Sequence, residues 1–413
     1  MDLTLAIFFF VYLAMGVGHL PGLRVDRTGA ALIGAMLLVA LGRISPDAAW
    51  DAVDYRTIGL LFGLMVISAA LVVAGFYAWV ARKVSDLQVG PKALLAIIIL
   101  VATGMSSLLT KDIVAVAMTP VFCSICVSRR LNPVPFLLGF CFATNVGSVG
   151  TLTGSPQNMI VAETLHLSFT DFVRAAALPS LLGLPVIWAA LVLRYRGKWH
   201  LPAASGSVAD QPSVPDVALD TIGSIKAILI LVAVIAAFIL SDWPHMLIAL
   251  LGASALLASR RVSSTTVLAH VNGNLLVLLF GLFILNAAFS ATGVPAQLLA
   301  AMRGIGVDLH DPMSMLAVMA VLSNIVGNNP AVMLAIPFID GAPDPEALGA
   351  AIALGTGFSS NAVLFGSLAG IIVAEEGRKR GVSITFMEFA KAGVPIAVLT
   401  LIGAGAWVAY LTS

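Results

Sequence analysis

The sequence predicts an all-α polytopic membrane protein built as an inverted repeat, and three observations predict it. Hydrophobic residues make up 60% of the chain and charged residues only 10%, with a mean hydropathy of +1.03. A soluble chain carries about a quarter charged residues. Apolar runs recur along the whole length, many near the ~20 residues that cross a bilayer. Three segments of the first half also return, in order, in the second.

The first run, "LTLAIFFFVYLAMGVGHL" at 3–20, lacks a basic leader and reads as a retained helix rather than a signal peptide. Further helices are expected near 28–44, 55–76, 135–163 and 172–194. Between the second and third of these, residues 92–128 form two apolar arms around the polar "SSLLTKD". Arms of ~15 residues are short for a ~30 Å hydrocarbon core, so this stretch reads as a re-entrant hairpin with its tip against a cavity. The polar, Pro- and Ser-rich interval at 194–224 reads as a linker. The second half is expected to run through helices near 223–241, 244–259, 273–292, 346–375 and 386–411, with a hairpin at 312–338. This divides the chain into a first repeat (1–196), a cytoplasmic linker (197–222) and a second repeat (223–413).

The repeat is legible in the letters. "LLFGLMVISAAL" (60–71) matches "LLFGLFILNAAF" (278–289). "SSLLTKDIVAVAMTP" (106–120) falls against "SNIVGNNPAVMLAIP" (323–337), and "TNVGSVGTLTGSPQNMIVAE" (144–163) against "TGFSSNAVLFGSLAGIIVAE" (356–375). Internal repeats of this kind point to a transporter with its site at their interface. Five crossings per half is an odd number, so the second half is expected upside down. Charge agrees: of the 22 Lys and Arg, 17 fall on one face and four (Arg43, Arg56, Arg174, Arg303) on the other, with Lys111 inside the hairpin. The rich face is then cytoplasmic, and both termini lie outside.

Each half carries two polar interruptions. One is the hairpin tip: Thr110, Lys111 and Asp112 in the first, Ser323, Asn324, Asn328 and Asn329 in the second. The other is a Gly-rich break within a long helix. The first break offers Asn145, Gly147, Ser148, Thr151, Gly154, Ser155 and Asn158; the second offers Ser359, Ser360, Asn361 and Ser367. Glycine permits unwinding, and the half-helix beyond a break starts with free N–H groups and a positive dipole end, which suits an anion. Small residues also serve plain helix packing, but their recurrence at matching places in both halves favours a site. Lys111 and Asp112 stand alone in charge between Ala93 and Val127. They read either as coupling machinery, with the ammonium in place of a sodium ion or the acid carrying a proton, or as an ion pair closing the hairpin. Cys123, Cys126 and Cys141 lie in apolar segments and read as small buried hydrophobes rather than metal or redox groups. No nucleophile–base–acid set, metal cluster or nucleotide loop is present, so an enzyme is not expected.

With its upstream hairpin, "ATNVGSVGTLTGSPQNMIVAE" (143–163) resembles the ion transporter superfamily. More narrowly it is similar to the citrate-transporter-like and arsenical-pump-like anion permeases, relatives of the divalent-anion/sodium symporters. The resemblance covers nearly the whole chain, and Gly154-x-Pro156-x-Asn158 is its most specific part. It implies five helices plus a hairpin per inverted repeat, an elevator-like motion and usually a homodimer. Its members carry organic acids, sulfate, arsenite or, in one branch, sodium and protons. The divalent-anion symporters have Ser-Asn-Thr at both hairpin tips, which helps bind sodium and a substrate carboxylate. Here those places hold Thr110-Lys111-Asp112 and Gly327-Asn328-Asn329. Asp112 keeps the acid that arsenical-type relatives often have there, and Lys111 is a departure.

The expectation is therefore a secondary anion permease of the inner membrane, with no cofactor beyond a coupling sodium ion or proton. Its partners would be a small anion, the bilayer and a second copy, and no nucleic acid. A sodium/proton antiporter or an arsenite permease of the same fold is the alternative.

Overall fold

The computed structural model describes residues 3–18, 25–201, 218–339 and 341–413, and these are almost entirely helical. Most of the expected linker, and Arg24 of the charge count, lie outside the described residues. The first half runs α1 (Leu3–Val17), α2 (Arg27–Ala40), α3 (Pro46–Asp51), α4 (Tyr55–Val73), α5 (Phe76–Ser85), α6 (Pro91–Leu108), α7 (Lys111–Ser128), α8 (Pro133–Val149), α9 (Pro156–Thr164) and α10 (Phe169–Arg194). The second runs α11 (Thr221–Leu240), α12 (His245–Leu257), α13 (Ser264–Leu268), α14 (Gly273–Ser290), α15 (Val294–Gly304), α16 (Pro312–Val326), α17 (Asn328–Ala335), α18 (Pro345–Ser359), α19 (Leu368–Arg378) and α20 (Phe386–Leu411). By length and composition α4, α6, α7, α10, α11, α14 and α20 can cross a membrane. Helices α1, α2, α8, α12 and α16 are shorter apolar helices.

Local chemistry sets many of these boundaries. Proline opens α6, α8, α9, α16 and α18, where its missing N–H costs nothing. Asp26, Asp54, Asp220 and Asn272 cap α2, α4, α11 and α14 by accepting a backbone N–H. The breaks fall where glycine and proline predicted them. Short 3₁₀ turns at Leu152–Gly154 and Leu364–Gly366 separate α8 from α9 and α18 from α19.

Three features differ from the sequence expectation. Both arms of the first hairpin have 18 residues, about 27 Å each at 1.5 Å per residue, which is nearly a full hydrocarbon core. Arm length therefore gives no reason to call this hairpin re-entrant; the position of its turn, inside the bundle, bears on that instead. In the second hairpin α17 is only 8 residues long. The short helices α3, α5, α13 and α15 were also absent from the expectation.

The halves interlock. Helix α2 packs on α14, and α4 packs on α12. A Cβ on Gly63 would sit 2.7 Å from the Ala249 backbone, and one on Gly281 would sit 2.7 Å from the Ala31 backbone. Both pairs are thus backbone-to-backbone crossings that only glycine permits. Helices α8 and α18, packed against the hairpin arms and against α10 and α20, are buried on almost every side, as a core helix must be if it is apolar all round. The long hairpin arms α6 and α16 pack along α8 and α18 respectively, while α7 packs on α19 and α17 on α9.

Candidate functional site

The two breaks and the two hairpin tips are stitched together by polar side chains that the bundle keeps dry. In the first half the Asn158 Nδ2 donates to the carbonyls of Ser148 (2.8 Å) and Thr151 (2.7 Å). Thr151 and Thr153 donate to the Ser107 carbonyl at the end of α6, the second at 3.0 Å. These bonds satisfy carbonyls that an interrupted helix leaves without intrahelical partners. Gly154 is where the backbones meet: a Cβ there would lie 2.3 Å from the Ser148 oxygen and 2.7 Å from the Ser106 oxygen.

The second half uses different residues for the same purpose. Asn328 and Ser360 bond reciprocally, Nδ2 to Oγ at 2.9 Å and Oγ to Oδ1 at 3.1 Å. Ser323 and Ser359 share a hydroxyl contact of 2.9 Å. Two bonds join the halves at their centre. The Asn145 Nδ2 donates to the Asn361 Oδ1 (3.0 Å), and the Gln157 Nε2 donates to the Thr356 Oγ1 (3.3 Å).

Beside this knot lies a cavity of about 660 Å³. The N-terminal residues of four helices line it: Lys111 and Asp112 of α7, Pro156 and Gln157 of α9, Asn328 and Asn329 of α17, and Ser367 and Leu368 at the start of α19. Four positive dipole ends thus face one space, with Lys111 in its wall. The rest of the wall includes Arg27 and Thr28 of α2, Gly16 and Val17 of α1, and Leu275 and Leu278 of α14.

Of the residues singled out in the sequence, Lys111, Asp112, Asn328, Asn329 and Ser367 line the cavity. Thr110 lies just behind, its hydroxyl donating to Ser68 of α4 at 3.3 Å. Asn145, Gly147, Ser148, Thr151, Gly154, Ser155, Asn158, Ser323, Asn324, Ser359, Ser360 and Asn361 stand outside the lining, within the two breaks and the α16 end of the second hairpin. The expectation missed Gln157, although it sits within the Gly154–Asn158 motif. It also missed Arg27, because an arginine at the end of an apolar run reads as an interfacial anchor.

Lys111 and Asp112 are not an ion pair. They are the first two residues of α7, and neighbours on a helix do not face each other. Among the described residues the Lys111 Nζ and the Asp112 Oδ1 have no hydrogen-bond partner, and no salt bridge joins them. Lys111 is only 3% exposed. The reading of an ion pair that closes the hairpin is corrected by this geometry. Asn329, whose Oδ1 is likewise unpartnered, lines the same cavity.

The bracing bonds give one test. Asn158→Ala removes two buried bonds at the break, so melting of the detergent-solubilised protein should show a loss of roughly 1–3 kcal/mol. Ser367→Ala, at the cavity wall, should change stability by less than half as much, because one cap bond to the Gly370 N–H is lost.

A sequence model of the citrate transporter family matches residues 10–355. A 46 kDa membrane protein of Mycobacterium leprae is 30% identical over 94% of this chain and 95% of its own. An uncharacterized transporter of Mycobacterium tuberculosis is 30% identical over 92% of both chains. A silicon efflux transporter of rice is 33% identical over 39% of this chain and 33% of its own. Among solved structures, the YdaH transporter of Alcanivorax borkumensis superposes with a TM-score of 0.58 at 15% identity, covering 99% of this chain and 98% of that one. With the fold of a membrane transporter and a family match over most of its length, this chain belongs to the citrate transporter family.

Proposed function

We propose that the protein is a secondary active transporter that carries a small anion, an organic di- or tricarboxylate or an inorganic oxyanion, across the inner membrane. The observation that carries this reading is the convergence of four helix N-termini and Lys111 on one cavity. Free N–H groups and dipole ends of that sign attract anions and repel cations. A sodium/proton antiporter would instead need its cation to approach Asp112 past Lys111.

The mechanism is an elevator-like exchange. The hairpins and broken helices form one hydrogen-bonded body, and α2, α4, α12 and α14 form the frame against which it moves. The expected topology is inverted, with the Lys- and Arg-rich face cytoplasmic. The cavity rim at Asp26, Asn272 and Asn274 then belongs to the cytoplasmic side, so this conformation faces inward. The protein works as a homodimer in this reading, with a proton or sodium ion as the coupling species.

A second reading is favoured by two cavity-lining residues that carry unpartnered acceptors, the Oδ1 atoms of Asp112 and Asn329. They suit the hydroxyl donors of an uncharged oxyacid, as an arsenite permease would carry, and the rice relative is named a silicon efflux transporter. Uptake into proteoliposomes of labelled citrate, succinate, sulfate and arsenite, under separate sodium and proton gradients, separates the readings. Gradient-driven uptake of one anion supports the first. Uptake of arsenite alone supports the second, and uptake of sodium in exchange for protons contradicts both.

The topology has its own test. A cysteine replacing Arg380 should react with an impermeant thiol reagent only from the cytoplasm, and one replacing Ser413 only from outside. Labelling of both from one face would exclude the inverted arrangement.

A further inference from the structure

Arg27 is the one cavity-lining cation supplied by the frame rather than by the hairpins, among the described residues. It is the first residue of α2 and is partly buried. Its Nε donates to the Met15 carbonyl near the end of α1 at 2.9 Å, which fixes the plane of the guanidinium. Its Nη1 lies 3.5 Å from where a Cβ on Gly327 would project, at the tip of the second hairpin. Among the described residues no carboxylate lies within salt-bridge distance. The nearest acid in sequence, Asp26, is exposed, and its Oδ1 is engaged by the Gly29 N–H at 2.8 Å. A partly buried guanidinium without an acid, held by one nitrogen, leaves its remaining donors for a planar anionic group. Lys111, which lines the same cavity, also has a buried Nζ without a partner.

Resting on the transport reading above, we propose that Arg27 is a state-selective specificity residue. It binds the transported anion from the frame side only while the cavity faces α2, so it sets affinity on this face and not on the opposite one. Lys111 travels with the hairpin and holds the anion in both states. Arg27 stays with α2, and the anion leaves it when the body moves. The carried anion thereby bridges the moving body and the frame in one conformation alone.

The test compares the two faces with labelled citrate, succinate and sulfate, in right-side-out and inside-out vesicles. Arg27→Gln should raise the half-saturating concentration on the face that opens beside α2 by about 10-fold or more, the usual effect of losing a charge-assisted bond. The value on the other face should stay within about 2-fold. Arg27→Lys keeps the charge but not the fork, and should give a smaller shift on the same face. It also serves if the glutamine variant does not fold. Equal shifts on both faces, or none on either, would overturn the proposal while leaving the transport reading intact. If the wild-type protein carries none of these three anions under any gradient, the transport reading fails and this inference fails with it.

Discussion

Lys111→Met should raise the half-saturating concentration for anion uptake by about 10-fold or more and leave the protein as stable as the wild type, or more stable. The side chain is buried, its Nζ has no hydrogen-bond partner, and Asp112 does not pair with it. An uncompensated buried charge costs stability, and an apolar side chain of similar length removes that cost. Its retention at a cavity of helix N-termini is then explained by the ligand it serves. Loss of a contact to a charged ligand costs about 1.5–3 kcal/mol, or roughly 10- to 150-fold in affinity. An ion pair that merely closed the hairpin predicts the reverse. Breaking such a pair would destabilise the fold by about 3–5 kcal/mol, and Lys111→Ala/Asp112→Ala would recover both folding and transport. Melting curves and uptake rates for the single and double variants distinguish the two cases.

Gly154→Ala should be the most damaging small substitution in the first half. The new methyl group would meet two backbone oxygens, at 2.3 Å from Ser148 and 2.7 Å from Ser106, and backbone cannot rotate aside as a side chain can. The break would have to open away from Ser148 and part from the first hairpin, straining the Asn158 bond inside the break and losing the Thr153 bond to Ser107. Overpacking alone costs about 1–3 kcal/mol, and these bonds add to it. Gly273→Ala, at a glycine with open space around it, should be almost silent. Folded protein recovered from membranes and its melting temperature report the difference. A stable, active Gly154→Ala variant would mean that the hairpin and break do not meet there.

Much of this architecture is legible in the letters. Glycines 147, 150 and 154 with Pro156 mark the first break, and the apolar runs mark the helices that flank it. The tip residues Lys111 and Asp112 stand out because charge is costly at membrane depth, and the structure places both at the cavity. Their mutual geometry is not legible, since adjacency in sequence looks like pairing while a helix points neighbours apart. The role of Asn158 is hidden for a similar reason. An amide in a broken helix can face a ligand or the loose carbonyls of the break, and here its nitrogen takes two carbonyls. Arg27 carries no local signal at all. Only the packing of α2 on α14, over 240 residues away in sequence, turns it toward the hairpins. Short helices such as α5 and α15 escape because ten or so residues give too few turns for periodicity to declare itself.

The central claim, that the cavity at the four helix starts holds the transported anion, can be tested by protection. Asn329→Cys in a background lacking Cys123, Cys126 and Cys141, all buried in the native fold, places a thiol on the cavity wall. An impermeant thiol reagent applied from the cytoplasmic face should modify it. A saturating concentration of an anion that the protein carries should slow that reaction severalfold, and an anion it does not carry should leave the rate unchanged. Modification at the same rate with and without the carried anion would show that the substrate binds elsewhere.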